Sequence, residues 1–446
     1  MRNSWSDLPW HEIGDEAVKD LQSLLRIDTT NPPGNESKAA EFVADRLRED
    51  NLEPVILDSA PNRSNVITRI EGSEDLAPLL ISAHLDVVPA EGQWTHPPFG
   101  GEIHDGCVWG RGAVDMKQMA VMCMWMMKLL ARQEKPPKRT VIFAAVADEE
   151  CGCDYGSHWI VDNHPDLVRA GYMITEIGGF TLYIQGRRFY PIQVAEKGRV
   201  LLKLKAQGPA GHASIPKKNT ALTQLSEALM KLGQTSLPRH IPLAQRHFIE
   251  QVAAELPFPI RRVFKLILSP IGDKILNLLP AAQADPLKAA LHNTVTPTII
   301  QTNDTRNVIP EEAVALLDGR TLPGQTAVDL VREIRDVIGN RFTIEVEDEK
   351  PPVWMDDYKT DLYELMYRAI KKHDPEGTPV PWLVPGFTDA KAWHRLGMRC
   401  YGFSPLQLPK DLAFSSLFHA PNERVPIQGF QWGLRVLADV VGQFVL

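Results

Sequence analysis

PLLISAHLDVVP, residues 78–89, is the stretch on which the fold turns. Its first half, 78–83, is an unbroken apolar run of the kind found in strands buried on both faces of a largely parallel sheet. The run ends on His84 and Asp86. Open α/β sheets bind their ligands outside the carboxyl ends of the strands, so a polar pair at this position marks a candidate site. In extended backbone a spacing of two puts both side chains on one face. One can then ligate a metal while the other takes the second ring N–H of the imidazole. Taken alone, the tripeptide also fits a histidine satisfied at a strand end with no metal present.

Outward from this strand, helical and strand patterns alternate. Residues 16–27 and 37–48 are amphipathic, 54–57 and 65–70 are short apolar runs, 119–131 is a buried helix, 140–147 a buried strand, 157–169 a helix and 172–175 a strand. From about Tyr190 the pattern changes to a separate β-α-β-β-α-β unit. Its strands are predicted at 200–206, 298–302, 314–320 and 342–346, its helices at 220–232 and 327–338. An apolar, proline-containing and basic stretch, 233–293, interrupts it as a mostly helical insertion. After Pro351 and Pro352 the α/β character returns, with helices over 361–372 and 428–445. The expected architecture is therefore a mixed-sheet α/β domain built from 1–190 and 353–446, with an α+β domain, 191–352, inserted in it. Linkers between the two are expected near Tyr190 and Pro351.

The chain has 446 residues, 44% hydrophobic and 23% charged, with a formal charge of -8. That length exceeds one typical domain, and the acidic balance with no basic run argues against a nucleic-acid partner. Residues 1–20 lack the apolar core of a secretory leader, and the greasy 119–131 stretch, broken by Lys128, falls short of the roughly 20 residues that cross a bilayer. Five scattered cysteines suit a reducing compartment, and a cytoplasmic location is the expectation.

Further polar residues sit at loop and strand ends. Asp115, in WGRGAVDMK (109–117), follows a turn permitted by Gly110 and Gly112, and reads either as a helix cap or as a carboxylate reaching into a site. Glu149 and Glu150 follow the buried strand in DEECG (148–152). Adjoining carboxylates there repel unless a cation neutralises them, so one Glu suits metal ligation and its neighbour general-base duty. Glu176 in MITEIGG (173–179) closes another strand, and His419 in FHAPNE (418–423) precedes the last helix. Each of these two is weak evidence by itself.

As an ordered set, SAHLDVVP, GRGAVDMK, DEE and the late His419 resemble the zinc aminoacylase and carboxypeptidase family that includes acetylornithine deacetylase, succinyl-diaminopimelate desuccinylase, carboxypeptidase G and carboxypeptidase S. The resemblance spans nearly the whole chain. It implies a zinc-exopeptidase-like catalytic domain with a ferredoxin-like lid and dimerisation domain. Two zinc ions per chain are implied, with cobalt or manganese as substitutes. Asp115 would bridge them, His84 and Glu176 completing one site and Glu150 and His419 the other. Glu149 would be the base, and a cis peptide is expected between Asp115 and Met116, where many relatives carry a second Asp in place of Met116. In the lid, His212 in GPAGHAS (208–214), Asn307 in NVIP (307–310) and Arg320 in DGR (318–320) resemble residues that approach substrate. Gly386 and Asp389 in GFTDA (386–390) resemble the loop lining the substrate carboxylate pocket in the catalytic domain. The implied activity is hydrolysis of an amide beside a free carboxylate, on a small peptide or an N-acyl amino acid, by a homodimer. The insertion resembles the longer lids of carboxypeptidase S and the N-acyl-amino-acid hydrolases, which favours hydrophobic acyl or peptide substrates. A binding protein that kept the fold without catalysis and a two-metal phosphoesterase are the alternatives.

Overall fold

A computed structural model describes Trp5 and residues 8–446, so Met1 to Ser4, Ser6 and Asp7 of the N-terminal stretch lie outside the described residues. The chain divides into two compact units. The first comprises Met1–Val194, Asp357–Pro381 and Thr388–Leu446, and the second Ala195–Asp356 with Trp382–Phe387.

In the first unit the apolar runs become neighbouring strands of a mixed sheet, in the order Val55–Ala60, Arg63–Ile70, Val141–Val146, Leu79–His84, Tyr172–Thr175, Arg399–Gly402 and Arg187–Glu196. The four from Val141–Val146 to Arg399–Gly402 run parallel, and the strands flanking them run antiparallel. Val141–Val146 and Leu79–His84 are buried at every position, which is why they read as continuous apolar runs and not as alternating ones. Parallel pairing sends the chain out of all four strands at one edge. His84, the Asp148–Glu150 triplet and Glu176 therefore leave the sheet side by side.

Helix Lys117–Ala131, buried along almost its whole length, packs against Trp10–Leu25, Ser37–Arg48, Ile427–Val445 and the Leu79–His84 strand. Its Lys117 is buried too, and the ammonium donates to the carbonyls of Ile27 (2.7 Å) and Leu24 (3.3 Å) just beyond and at the end of the first helix. Another cluster, with Leu80, Ile142, Val146, Ile160, Met173 and Trp393, places Ser157–Asn163 and Ala390–His394 against the sheet. The helix expected over 157–169 is broken. Ser157–Asn163 stops, and Pro165–Val168 begins anew with Pro165 at its first position. Proline there has no N–H to continue the ladder and its ring crowds the preceding turn.

The second unit carries a four-stranded antiparallel sheet in the order Thr294–Gln301, Glu312–Thr321, Gly198–Gln207 and Thr343–Lys350. Helices Ala221–Gln234 and Ala327–Ile338 cover one face through Leu225, Ala228, Leu330 and Ile334 against Val200, Leu202, Leu204 and Leu317. Numbered by chain order the strands lie 2-3-1-4, the ferredoxin-like arrangement of a β-α-β-β-α-β unit. Burial along Gly198–Gln207 alternates, as a sheet with one covered face requires. Between the first helix and the second strand lie four more helices, Leu243–Glu255, Ile260–Leu266, Gly272–Leu276 and Ala281–Ala289. Among the described residues no helix is long and apolar enough to cross a membrane.

One close approach beside Glu176 is steric in origin. A Cβ on Gly178 would stand 2.0 Å from the carbonyl oxygen of Gly402 and 3.1 Å from that of Pro191, both backbone atoms. Gly178→Ala should lower the melting temperature of the metal-free protein, by a change of about 1–3 kcal/mol or more for overpacking against backbone. A thermal unfolding curve matching the parent would refute this.

Candidate metal centre

His84 lies at the centre of the strand-end edge and is wholly buried. Its Nδ1 is 3.0 Å from the backbone oxygen of Asp86, an atom that only accepts, so Nδ1 carries the proton. In the neutral ring Nε2 is then a bare lone pair. It points at Asp115 Oδ1 (3.2 Å), with Glu176 Oε2 at 3.8 Å and Glu149 Oε2 at 4.0 Å. A lone pair facing carboxylate oxygens is repulsive unless the ring takes a second proton or a cation stands between them.

Asp115 faces a second imidazole on its other oxygen. His419 Nε2 is 2.9 Å from Asp115 Oδ2 and 3.2 Å from Glu150 Oε2. One carboxylate thus joins two half-sites, His84 with Glu176 and Glu149 on one side and His419 with Glu150 on the other. Ligand-type atoms of His84, Glu149 and Glu176, and likewise of His84, Asp115 and Glu150, all lie within 4.8 Å of one another. Glu150 Oε1, Glu176 Oε1 and Asp389 Oδ2 are buried without a hydrogen-bond partner. Burial lifts Glu149 well above the usual carboxylate range, with Glu176 and Glu150 adding repulsion, and it pushes Glu176 to about 8 and Glu150 to about 7. Hydrogen bonds to Asp115 and Glu150 push His419 up to about 10. His84 is raised as well, burial being outweighed by Asp115, Asp86 and Glu176. Asp115 lies below its usual range despite burial, through the same two imidazoles. A donor set of imidazole nitrogens and carboxylate oxygens with orphaned buried atoms fits divalent cations of borderline softness.

The scaffold holds these groups through backbone N–H donors. Asp86 accepts from the N–H of Glu149 on Oδ1 and of Glu150 on Oδ2, each at 3.1 Å, and from Asn31 Nδ2 at 2.8 Å. It therefore fixes the Glu pair as well as approaching His84, from which its Oδ1 lies 3.5 Å. Glu423, fully buried, accepts from the N–H groups of Gly112 (3.0 Å), Val114 (2.7 Å) and Asp115 (3.0 Å), and from Arg111 at 2.7 Å. The Asp115–Met116 peptide is cis, as expected. Asp148, the first acid of the triplet, is satisfied by Arg63 (2.7 Å), Asn31 (2.9 Å) and the Tyr155 N–H (3.0 Å). Only two of the three adjoining carboxylates therefore join the cluster.

Sequence reading missed Asn31, Arg63 and Glu423. The signals were faint: an Asn before two prolines, a buried Arg in a strand of otherwise ordinary pattern, and the last letter of FHAPNE.

The remaining expected residues fall elsewhere. Asp389, in the first unit, is buried, accepts from Ser157 Oγ at 2.5 Å and is held up at about 6 mainly by burial. Gly386 lies in Trp382–Phe387, which is part of the second unit, not of the expected catalytic domain. His212 is exposed and bonds Ser214 Oγ at 2.7 Å, and Asn307 sits beside it, its carbonyl accepting from the Ala213 N–H at 2.9 Å. Arg320 is held by both oxygens of Asp318 at 2.6 and 2.9 Å.

Residues 80–443 match the model of peptidase family M20/M25/M40. The chain is 30% identical to the N-fatty-acyl-amino acid synthase/hydrolase PM20D1 of Mus musculus, over 96% of this chain and 86% of that protein. It is 26% identical to an uncharacterized carboxypeptidase of Schizosaccharomyces pombe, over 93% and 77%. Among solved structures, the M20 family metallo-carboxypeptidase Sso-CP2 from Sulfolobus solfataricus superposes with a TM-score of 0.68, covering 96% of this chain and 98% of that one at 18% identity, a likeness of fold.

The raised groups set the pH behaviour of the metal-free protein. Glu150 and Glu176 titrate near 7 and 8 when folded, against 4.5 as unperturbed groups, and His419 near 10 against 6.5. Between those values the folded state binds more protons than the unfolded one, so its stability falls as pH rises. Metal-free protein should melt at a lower temperature at about pH 8 than at about pH 5.5, and a divalent cation should restore more stability at the higher pH, where fewer protons compete. A flat or rising melting temperature over that range would contradict the assignment.

Proposed function

We propose that this chain, which belongs to the peptidase family M20/M25/M40, is a two-zinc amide hydrolase that releases an amino acid from an N-acyl or peptidyl substrate with a free carboxylate. The observation that carries this reading is Asp115 set between two imidazoles, with the buried carboxyl of Glu149 beside one of them. We assign His84 and Glu176 to one cation, Glu150 and His419 to the other, and Asp115 to both. Cobalt or manganese are candidate substitutes for zinc. When bound, such ions acidify a water and polarise the scissile carbonyl.

The chain's own residues supply the proton traffic. Glu149 removes a proton from the attacking water as its oxygen bonds to the carbonyl carbon. It then delivers that proton to the amide nitrogen as the C–N bond breaks, leaving a carboxylic acid and an amine, and the acid's proton passes to the amine so that the products depart as carboxylate and ammonium. A carboxyl whose proton affinity is raised by burial suits both halves of the shuttle. Asp86 keeps Glu149 and Glu150 in place through their N–H groups. We assign His212 to the developing oxyanion, and Asn307, Arg320, Gly386 and Asp389 to recognition of the substrate's carboxylate end. For Arg320 this requires exchanging Asp318 for the substrate.

A run of aromatic rings favours a hydrophobic acyl or side chain. Phe414 stacks on Phe180 with centroids 4.1 Å apart and leans on Phe418, which stacks on His419 at 4.3 Å. Phe180, Phe414 and Phe418 line a small cavity of about 10 Å³ that also touches Asp115 and Glu176. The named activity of the mouse relative on fatty-acyl amino acids agrees with that choice. We further assign the protein to the cytoplasm, on its free cysteines, and to a homodimer formed through the second unit, on resemblance alone.

Glu149→Gln should bind two metals per chain as the parent does and lose turnover by about 10²–10⁴-fold, the range for a missing general base. Retained activity would remove Glu149 from this role. On a panel of zinc-loaded assays, long-chain N-acyl amino acids should be cleaved with higher kcat/KM than blocked dipeptides. The reverse order would make the protein a peptidase, and cleavage of neither would end the proposal.

A further inference from the structure

The helical insertion of the second unit turns apolar side chains outward that its own packing does not use. Phe258 and Leu278 are 73% and 81% exposed, and Val263, Leu266 and Ile271 stand between them in the chain, exposed as well. Single apolar residues scattered over a surface need no explanation, whereas a concentration of them marks an interaction site.

Their placement is regular. Helix Ile260–Leu266 is followed by the buried Ile267, and helix Gly272–Leu276 buries Gly272 and Leu276. Arg239 meets the inner side of both. It donates to the carbonyls of Ser269 (2.7 Å) and Ile267, and a Cβ on Gly272 would stand 2.3 Å from its Nη1. With the inner sides held on one residue, the outer sides turn the same way. Residues four apart share a side of a helix. Phe258, Arg262 and Leu266 form such a series, and the Arg262 guanidinium lies over the Phe258 ring, 5.3 Å from its centroid. Lys274 and Leu278 form another, two residues on from the buried Gly272 and Leu276 and so on the far side. The Leu278 N–H continues the helical turn by donating to the Ile275 carbonyl at 3.1 Å.

The same stretch is basic in an acidic chain. Arg261, Arg262, Lys265 and Lys274 are exposed, and among the described residues none of them forms an ion pair. Asp273, the carboxylate they share the stretch with, is already 3.1 Å from His292 Nε2 and 3.8 Å from Arg239. Cations interleaved with projecting apolar groups match a surface that is negative outside and hydrocarbon beneath. Nucleic acid offers the charge without the hydrocarbon. A protein interface is depleted in lysine at its core, whereas here Lys274 and Leu278 share one side.

We propose that the outer side of these two helices docks on an anionic bilayer. Phe258, Leu266 and Leu278 enter the interfacial layer, and Arg262, Lys265 and Lys274 pair with lipid phosphates. This is attachment to a membrane surface and not insertion across it. No residue of the surface belongs to the metal centre, and lipid binding is read without substrate, so failure of the proposed hydrolase activity leaves it standing.

The test is sedimentation of the full chain with vesicles of phosphatidylcholine alone or of phosphatidylcholine and phosphatidylglycerol in equal parts. The parent should bind the mixed vesicles and not the neutral ones, and salt at about 1 M, where the Debye length is about 3 Å, should release it. Phe258→Ser with Leu278→Ser, and separately Arg262→Glu with Lys274→Glu, should each weaken binding by at least about ten-fold. Val328→Ser, at a position 75% exposed on helix Ala327–Ile338, should bind as the parent does. Sedimentation velocity without lipid should give the parent and both double variants the same mass. A smaller mass for the Phe258→Ser and Leu278→Ser variant would make this face a contact between two copies of the chain and overturn the proposal. Absence of vesicle binding, equal binding to both vesicle types, or binding untouched by either pair of substitutions would overturn it too.

Discussion

A carboxylate taken out of water must be protonated, paired or bound to a cation, and this protein displays two of those solutions side by side. Asp148 and Glu423 are buried next to guanidinium groups, Arg63 and Arg111, each at 2.7 Å. Asp115, Glu150 and Glu176 instead face imidazoles, and one oxygen each of Glu150 and Glu176 is buried without a partner. An arginine closes a site, because it fills the acceptor positions for good. An imidazole with its far nitrogen protonated leaves a lone pair and a gap, and the charge imbalance around His84 is what fits the strand edge to the divalent ions proposed above.

That imbalance has to be held against its own repulsion. Two acidic residues do so without touching the gap. Asp86 gathers the consecutive N–H groups of Glu149 and Glu150, and Glu423 gathers those of Gly112, Val114 and Asp115. Bonds from N–H groups to an ionised carboxylate are stronger than neutral ones and fix backbone direction, so the Asp115, Glu149 and Glu150 side chains leave peptides that cannot swing away. The parallel strands set the coarse spacing, and these bonds set the fine one.

Much of this was legible in advance because it is local. The buried strands announce themselves as apolar runs, and His84, Glu149, Glu150 and Glu176 follow those runs directly. His419 became readable only through the order of motifs shared with a known family, since nothing adjacent to it signals a site. What stayed hidden depends on partners far away in sequence. Glu423 gains its meaning from peptides more than 300 residues earlier, Arg63 from Glu36 and Asp148, and Asn31 from Asp86. Residue type alone could not disclose that Arg320 is already engaged by Asp318, nor that Gly386 falls in the second unit. The break at Pro165 was a local signal that the longer helical pattern around it obscured.

The gathered residues run from His84 to His419, and this spread bears on biosynthesis. Chains emerge from the ribosome amino end first, at about 5–20 residues per second. The acidic strand ends of the early segment therefore exist for many seconds before the imidazole that completes the second half-site has been made. Through that interval the edge lacks one imidazole, and the pair of half-sites joined by Asp115 is complete only once His419 is in place. On the assignment proposed above, the second half-site would be open to a cation only after that last stretch has been made.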